Sequence, residues 1–195
     1  MTRQATVNRQ TKETAVSAEL VVDGTGVTDI QTGVGFLDHL LDALMRHSRM
    51  DLKLRCDGDL HVDDHHTAED CALVVGQALA DAVGDGRGIR RFGTAYAPLD
   101  EALARAVVDV SGRPFACVDL QLRRERIGQL ACENMTHVLQ SLAMAARLTL
   151  HVDVLRGDND HHKVEAAFKA TALALRAAVA RDAFDDVPST KGVLG

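Results

Sequence analysis

Two short stretches of this sequence hold the residue types that could bind and activate something. Residues 63–70 read DDHHTAED and residues 158–167 read DNDHHKVEAA. Each sets adjacent histidines ahead of a glutamate: His65, His66 and Glu69, then His161, His162 and Glu165. Neutral imidazole and carboxylate together suit a divalent transition metal such as Mn, Fe, Zn or Ni. On a helix, residues three and four apart share a face, so Glu69 can stand beside His65 or beside His66. Adjacent histidines point about 100° apart and do not easily hold one ion together. Each pair is therefore expected to serve two different metals, which then draw on both halves of the chain or on neighbouring subunits. The spelling is neither the HExxH of zincins nor the reversed Glu-x-x-His of di-iron bundles.

A single HHxxE on a helix is a weak signal, more often a solvated face than a metal site. Its duplication makes it strong. HLLDALMRHSRMDLKLRC, from His39, lies over HVLQSLAMAARLTLHVDV, from His137, at an offset of 98 residues, and the His-His pairs repeat at 96. The repeat pairs His39 with His137, His65 with His161, His66 with His162 and Glu69 with Glu165. That leaves His47, His61 and His151 without histidine partners, and these read as solvated or structural. Eight donors in two copies, kept in register while positions around them differ, have no explanation in core packing.

The elements that must position them follow a common plan. Residues 14–22 read as a strand closed by the DGTG turn. Leu37, Leu40, Leu41 and Leu44 make one stripe of a helix over 36–47. Met50, Leu52, Leu54 and Cys56 alternate as a half-buried strand, matched by Leu148, Leu150, Val152 and Val154. A second helix runs from about 66 to 82 and stops at Gly84. In the second half, strands at 105–110 and 115–122 flank SGRP, and a helix over 162–182 is the twin of 66–82. The fold class is thus α/β: an internally duplicated strands-helix-strand-helix unit, with sheets and helices in layers. Residues 1–92 and 93–195 form the halves of one compact pair, joined through the glycine-rich 84–93 stretch.

Bulk properties narrow the function. The chain has 195 residues, 46% of them apolar but only 3% aromatic, so Val, Leu and Ala must fill the core. A net charge of −6 and no extended basic run argue against nucleic acid. No apolar stretch is long enough to span a membrane, and the polar MTRQATVNRQTKET start lacks a signal core. The four cysteines show no CxxC spacing and read as free, mostly buried thiols of a cytoplasmic protein.

Taken together, GFLDHLLDAL, DDHHTAEDCALVVGQAL, PLDEALARAVVDVSGRP, DNDHHKVEAAFKATALAL and PSTKG resemble the imidazoleglycerol-phosphate dehydratase family, in its monofunctional form. The resemblance runs from about residue 5 to the end. It implies dehydration of D-erythro-imidazoleglycerol phosphate to imidazoleacetol phosphate in histidine biosynthesis. It implies two metals, typically Mn2+, held by His39, His65, His66, Glu69, His137, His161, His162 and Glu165. It further implies a left-handed βαβ unit and a 24-subunit shell with active sites between subunits. Glu13 in RQTKET matches the family's acid-base glutamate. Arg91, Arg113, Lys169, Ser189 and Lys191 match its phosphate- and substrate-binding positions. Ala43 stands where some members have Gln.

The implied reaction has a physical difficulty, since the proton to be lost sits on a carbon with no adjacent carbonyl. Metals on both ring nitrogens would stabilise the substrate as imidazolate, which can expel the neighbouring hydroxyl to a diazafulvene-like intermediate. Glu13 would then shuttle the proton. An acidic protein that binds a phosphate ester needs local Arg and Lys, and Gly112 and Pro114 make a rigid platform for Arg113. PSTKG by itself reads as a flexible tail that acts only by folding over a site. Two rivals use the same donors: a dinuclear metal phosphoesterase, given Asp63, Asp64, Asp158 and Asp160 beside the motifs, and a non-enzymatic metal-storing shell.

Overall fold

A computed structural model describes residues 2–195. The first half runs β1 (Gln4–Gln10), β2 (Thr14–Val21), β3 (Thr28–Gln31), α1 (Gly35–Ser48), β4 (Asp51–Gly58) and α2 (His65–Val83). The second runs β5 (Phe92–Leu99), β6 (Ala102–Asp109), β7 (Phe115–Asp119), the two-residue strands β8 (Arg126–Ile127) and β9 (Leu130–Ala131), α3 (Cys132–Ala145), β10 (Thr149–Arg156) and α4 (Asp160–Ala178). One sheet has the order β1-β2-β4-β3 and the other β5-β6-β10-β7. In both, the third strand pairs parallel with the last and the remaining pairs are antiparallel. Two like sheet-and-helix units thus fit the repeat read from the sequence. The β8–β9 hairpin is the element of the second half with no counterpart in the first.

Alternation along the strands sets which face each sheet buries. Val16, Ala18 and Leu20 of β2 and Leu52 and Leu54 of β4 point inward; Ala104, Ala106 and Val108 of β6 and Leu150, Val152 and Val154 of β10 do the same. Each buried Leu or Val contributes about 1.5–3 kcal/mol relative to exposure. Within the units, α2 packs on β1 and β2, and α4 on β5 and β6. Across them, α2 packs on α3 and α1 on α4. The helices therefore meet at a seam between the two units, with a sheet on either side. Close approach at the seam depends on Gly76, where a Cβ would sit 2.6 Å from the carbonyl oxygen of Leu142.

The sequence-based elements need adjustment at their ends. α4 stops at Ala178, not 182. There the chain turns to bond the segment before β5: Arg91 N–H donates to Ala178 O (2.8 Å), Arg90 N–H to Ala180 O (3.0 Å) and Asp182 N–H to Gly88 O (2.9 Å). The same bonds mean that 84–93 is no free linker, and β5 already begins at Phe92. β7 ends at Asp119, short of 122, where Gln121 takes a left-handed φ of 50°. β6 starts earlier than expected, at Ala102. Arg49 and Arg147, paired by the repeat, both take left-handed φ values (64° and 54°) just after α1 and α3. The cysteines are free, but only Cys71 and Cys132 are buried, and Cys117 is exposed on β7. The tail from 184 does not stand clear of the body, since Gly195 N–H donates to Ser111 O at 2.9 Å. Among the described residues, no helix is long and apolar enough to cross a membrane.

Candidate metal centre

The helix seam brings the repeated donors together crosswise. His39 of α1 meets His161 and Glu165 of α4, and His137 of α3 meets His65 and Glu69 of α2. In each set the three donor atoms lie within 4.8 Å of one another. Oε1 of Glu165 is 2.9 Å from His39 Nε2 and 2.8 Å from His161 Nε2. Oε1 of Glu69 is 3.0 Å from His137 Nε2, and the His65 and His137 rings stack with centroids 5.0 Å apart. The i,i+4 choice left open by the spacing goes to the first histidine of each pair. Burial alone would raise the Glu165 carboxyl. Hydrogen bonds from His39 and Lys169, the Lys169 charge and a bond from His161 outweigh it and hold the carboxyl at about 2. Two imidazole nitrogens and one carboxylate oxygen in such a cluster fit a divalent cation that still has open coordination positions.

Neighbouring side chains fix the ring orientations. Asn134, buried on α3, places its Oδ1 2.9 Å from His65 Nδ1. With Nδ1–H donating to that oxygen, His65 Nε2 is left unprotonated and available to a cation. Buried Asp64 and Asp160 anchor the helix starts that carry the His-His pairs. Asp64 accepts from Ala131 N–H (2.6 Å), and Asp160 accepts from Arg123 and Arg124 N–H (2.8 and 2.7 Å) and from buried Lys163 (2.9 Å). Burial raises the Asp160 carboxyl, yet Lys163 and the two backbone donors lower it overall. Asp64 and Asp160 are therefore anchors, and they lie outside both donor sets.

His66 and His162 turn away from both sets. His66 Nδ1 lies 3.0 Å from Asp59 Oδ2, and His162 Nδ1 lies 2.7 Å from Glu101 Oε2. Asp59 raises the His66 pKa and Glu101 raises that of His162. The His162 bond, with backbone N–H donors including Asn159, depresses Glu101 to about 2. Glu13 is exposed on the β1–β2 turn, its Oε1 3.7 Å from His66 Nε2. The turn is tied down beneath it: Thr14 Oγ1 and Arg9 both donate to the buried Asp70 carboxylate. Sequence reading missed Asn134, Asp59, Asp70 and Glu101. Of these, only Glu101 left a trace, since it occupies the same place on the β5–β6 turn as Glu13 does on β1–β2.

The candidate phosphate contacts fall into two places. Lys169 lies beside the seam, its Nζ 3.0 Å from Glu165 Oε2. Arg91, Arg113 and Ser189 gather near the far end of α4. Arg91 pairs with Asp109 (2.7 Å) and donates to Pro188 O (2.7 Å), beside Ser189, whose Oγ accepts from Lys191 N–H (3.2 Å). Arg113 is exposed on its Gly112–Pro114 turn. From His161 to Ala178, α4 covers about 25 Å. One chain thus does not bring Arg91, Arg113 and Ser189 to its own donor sets. Ala43 is buried on α1. His47 is half-buried, and burial, then the Lys169 charge, lowers its pKa.

A duplicated α/β sandwich with crossed His-His-Glu sets at its helix seam belongs to the class of two-fold repeated scaffolds that carry candidate metal centres. Comparison narrows the class. The family model described as imidazoleglycerol-phosphate dehydratase matches residues 32–175. The chain is similar to the imidazoleglycerol-phosphate dehydratase of Eremothecium gossypii, at 55% identity over 99% of this chain and 98% of that one. The crystal structure of the Staphylococcus aureus enzyme superposes with a TM-score of 0.80 at 38% identity, covering 91% of this chain and 99% of that one. The Pyrococcus furiosus enzyme superposes with a TM-score of 0.81 at 36% identity, covering 96% and 100%. This chain belongs to the imidazoleglycerol-phosphate dehydratase family, whose members are hydro-lyases.

Proposed function

We propose that this protein dehydrates imidazoleglycerol phosphate to imidazoleacetol phosphate in histidine biosynthesis, using two divalent cations, Mn2+ being favoured. The observation that carries this reading is the crossed pair of donor sets, His39–His161–Glu165 and His65–Glu69–His137, in a chain of this family. Bound there, the cations supply positive charge that favours the anionic form of a substrate imidazole. Six of the eight expected donors lie in the two sets. His66 and His162 complete the coordination from outward-facing positions, which calls for a neighbouring copy. The length of α4 between its donors and its far end, about 25 Å from His161 and about 20 Å from Glu165 to Ala178, supports the same conclusion: Arg91, Arg113, Ser189 and Lys191 serve a site whose donors come from another subunit. The assembly is then a homo-oligomer, a 24-subunit shell by family likeness, working in the cytoplasm, with 1–92 and 93–195 as halves of one folding pair.

In this reading the cations of Arg91, Arg113, Lys169 and Lys191, with the Ser189 hydroxyl, hold the phosphate and orient the chain. Glu13, exposed and anchored through Asp70, moves the proton between carbon and solvent. The phosphoesterase alternative finds no support in the relatives. Metal analysis beside native mass, with ultraviolet detection of enolised product, tests the reading. Two ions per chain, a large particle and product are expected. Phosphate release without enolised product, or a metal-free active monomer, would overturn it.

A further inference from the structure

The two hairpin turns carry glutamates at the same place, but the glutamates make different contacts. β1 pairs with β2 up to Gln10↔Ala15, and β5 with β6 up to Leu99↔Ala102, so Glu13 and Glu101 each directly precede or open the returning strand. In the first half Asp59 occupies His66 Nδ1, and Glu13 remains clear of hydrogen-bond range at 3.7 Å from Nε2. In the second half Gly157 follows β10 where Asp59 follows β4. Gly157 has a φ of +145°, and a Cβ there would sit 2.9 Å from the Ala102 Cβ and 3.0 Å from the Lys163 Cγ. No carboxylate can stand at that position, so His162 takes its partner from the turn. Glu101 Oε2 lies 2.7 Å from His162 Nδ1, while Oε1 accepts from the N–H groups of Asp158 (3.2 Å) and Asn159 (2.9 Å).

We infer that Glu101 is a positioning residue for cation binding. By accepting the Nδ1 proton of His162, it fixes the tautomer whose Nε2 lone pair faces outward to a divalent ion. Neutral imidazole carries one N–H, so a proton held at Nδ1 leaves Nε2 as the acceptor nitrogen. A carboxylate behind a histidine also raises the basicity of the far nitrogen toward a metal. Asp100 Oδ2, 3.8 Å from Nε2, is too distant to claim that lone pair. The inference rests on the proposed function in one respect, that His162 is a ligand.

The backbone donors make Glu101→Gln a sharp test. Two N–H groups at Oε1 require the amide oxygen there, which turns the amide NH2 toward Nδ1. Nδ1 must then accept, and the ring proton moves to Nε2, where it blocks a cation. Reversing the amide would leave the Asp158 and Asn159 donors facing another donor. Full-length, metal-stripped protein titrated with Mn2+ by calorimetry should show a Kd raised about 10–100-fold in the variant. Its metal-free melting midpoint should stay within about 2 °C of wild type. Activity should be low at limiting Mn2+ and recover at saturating Mn2+. Glu13→Gln, run beside it, should keep the wild-type Kd and stay impaired at every Mn2+ concentration. An unchanged Kd in Glu101→Gln overturns the inference. So does a markedly lowered melting midpoint, which would make Glu101 a loop tie, or activity that saturating metal does not restore. Wild-type protein that binds Mn2+ but forms no product sinks the proposed function instead, and leaves the Kd comparison to decide the role of Glu101.

Discussion

The β2–β3 connection and the β6–β7 connection start from one plan and end with opposite charge. In the first half Asp51, opening β4, accepts from the N–H groups of Thr25, Gly26 and Val27, each at 2.8 Å. In the second half Thr149, opening β10, stands in that place, and the turn is held by hydroxyls: Ser111 Oγ accepts from Arg113 N–H (3.1 Å) and lies 3.3 Å from Thr149 Oγ1. A carboxylate at 149 would sit against Arg113 and cancel part of its charge. The same structural task is done without an anion beside Arg113, the cation proposed to hold the phosphate. Meanwhile the helix seam keeps the same donor types in both halves. The two copies have thus stayed alike where they meet and diverged at their outer ends.

The largest effects should come from breaking what the halves share. His65→Ala and His161→Ala are each expected to abolish measurable turnover and lower the metal count per chain, with native mass falling where assembly depends on the ion. Retained stoichiometry by metal analysis would remove either residue from the ligand set. Next comes the glutamate of the first hairpin turn. Glu13→Gln should lower kcat by about two to four decades with metal content intact, and normal turnover in a steady-state assay would remove it from the reaction.

Smaller effects test the outer ends. Thr149→Asp should raise KM by about fivefold with kcat little changed, the size expected of one partly exposed charge pair. A KM equal to wild type would show that Arg113 does not contact the phosphate. Asp51→Asn should cost about 1 kcal/mol in denaturant unfolding, since it weakens a carboxylate serving three backbone donors near the surface. Burial raises the Asp51 carboxyl, but the bonds from Val27, Thr25 and Gly26 lower it overall. Its stabilisation is therefore present above the unfolded carboxyl value of about 3.9 and is lost as pH falls through the lower folded value. Asp51→Asn should flatten that acid limb, and unchanged slopes between pH 2 and 5 would contradict the assignment.

Where a residue's role is written in its own neighbours along the chain, the sequence was enough. The Leu37–Leu40–Leu41–Leu44 stripe, the alternation through Leu52 and Leu54, and the repeated HHxxE spacing all show through short-range periodicity, and the repeat itself sorted nine histidines into ligand candidates and bystanders. The polar edge strand β1, QATVNRQ, alternates only through Ala5 and Val7, too short a pattern to reveal it, because an edge strand buries little. β3 has only four residues. Asn134 and Asp70 act through contacts tens of residues away, and Asp59 reaches His66 only because the loop before α2 folds back, so no periodic pattern marks them. The choice of His65 over His66 for the seam depends on helix phase, which the spacing left open.

The crossing of the donor sets has a consequence for how the molecule comes into being. His39 waits for His161 and Glu165, and His65 and Glu69 wait for His137. A nascent chain that has released only its first half therefore offers a passing cation no complete set. On the proposed ligand sets, gathering three donors for either cation waits until the second half has emerged and docked, so ion capture follows completion of the chain's own fold.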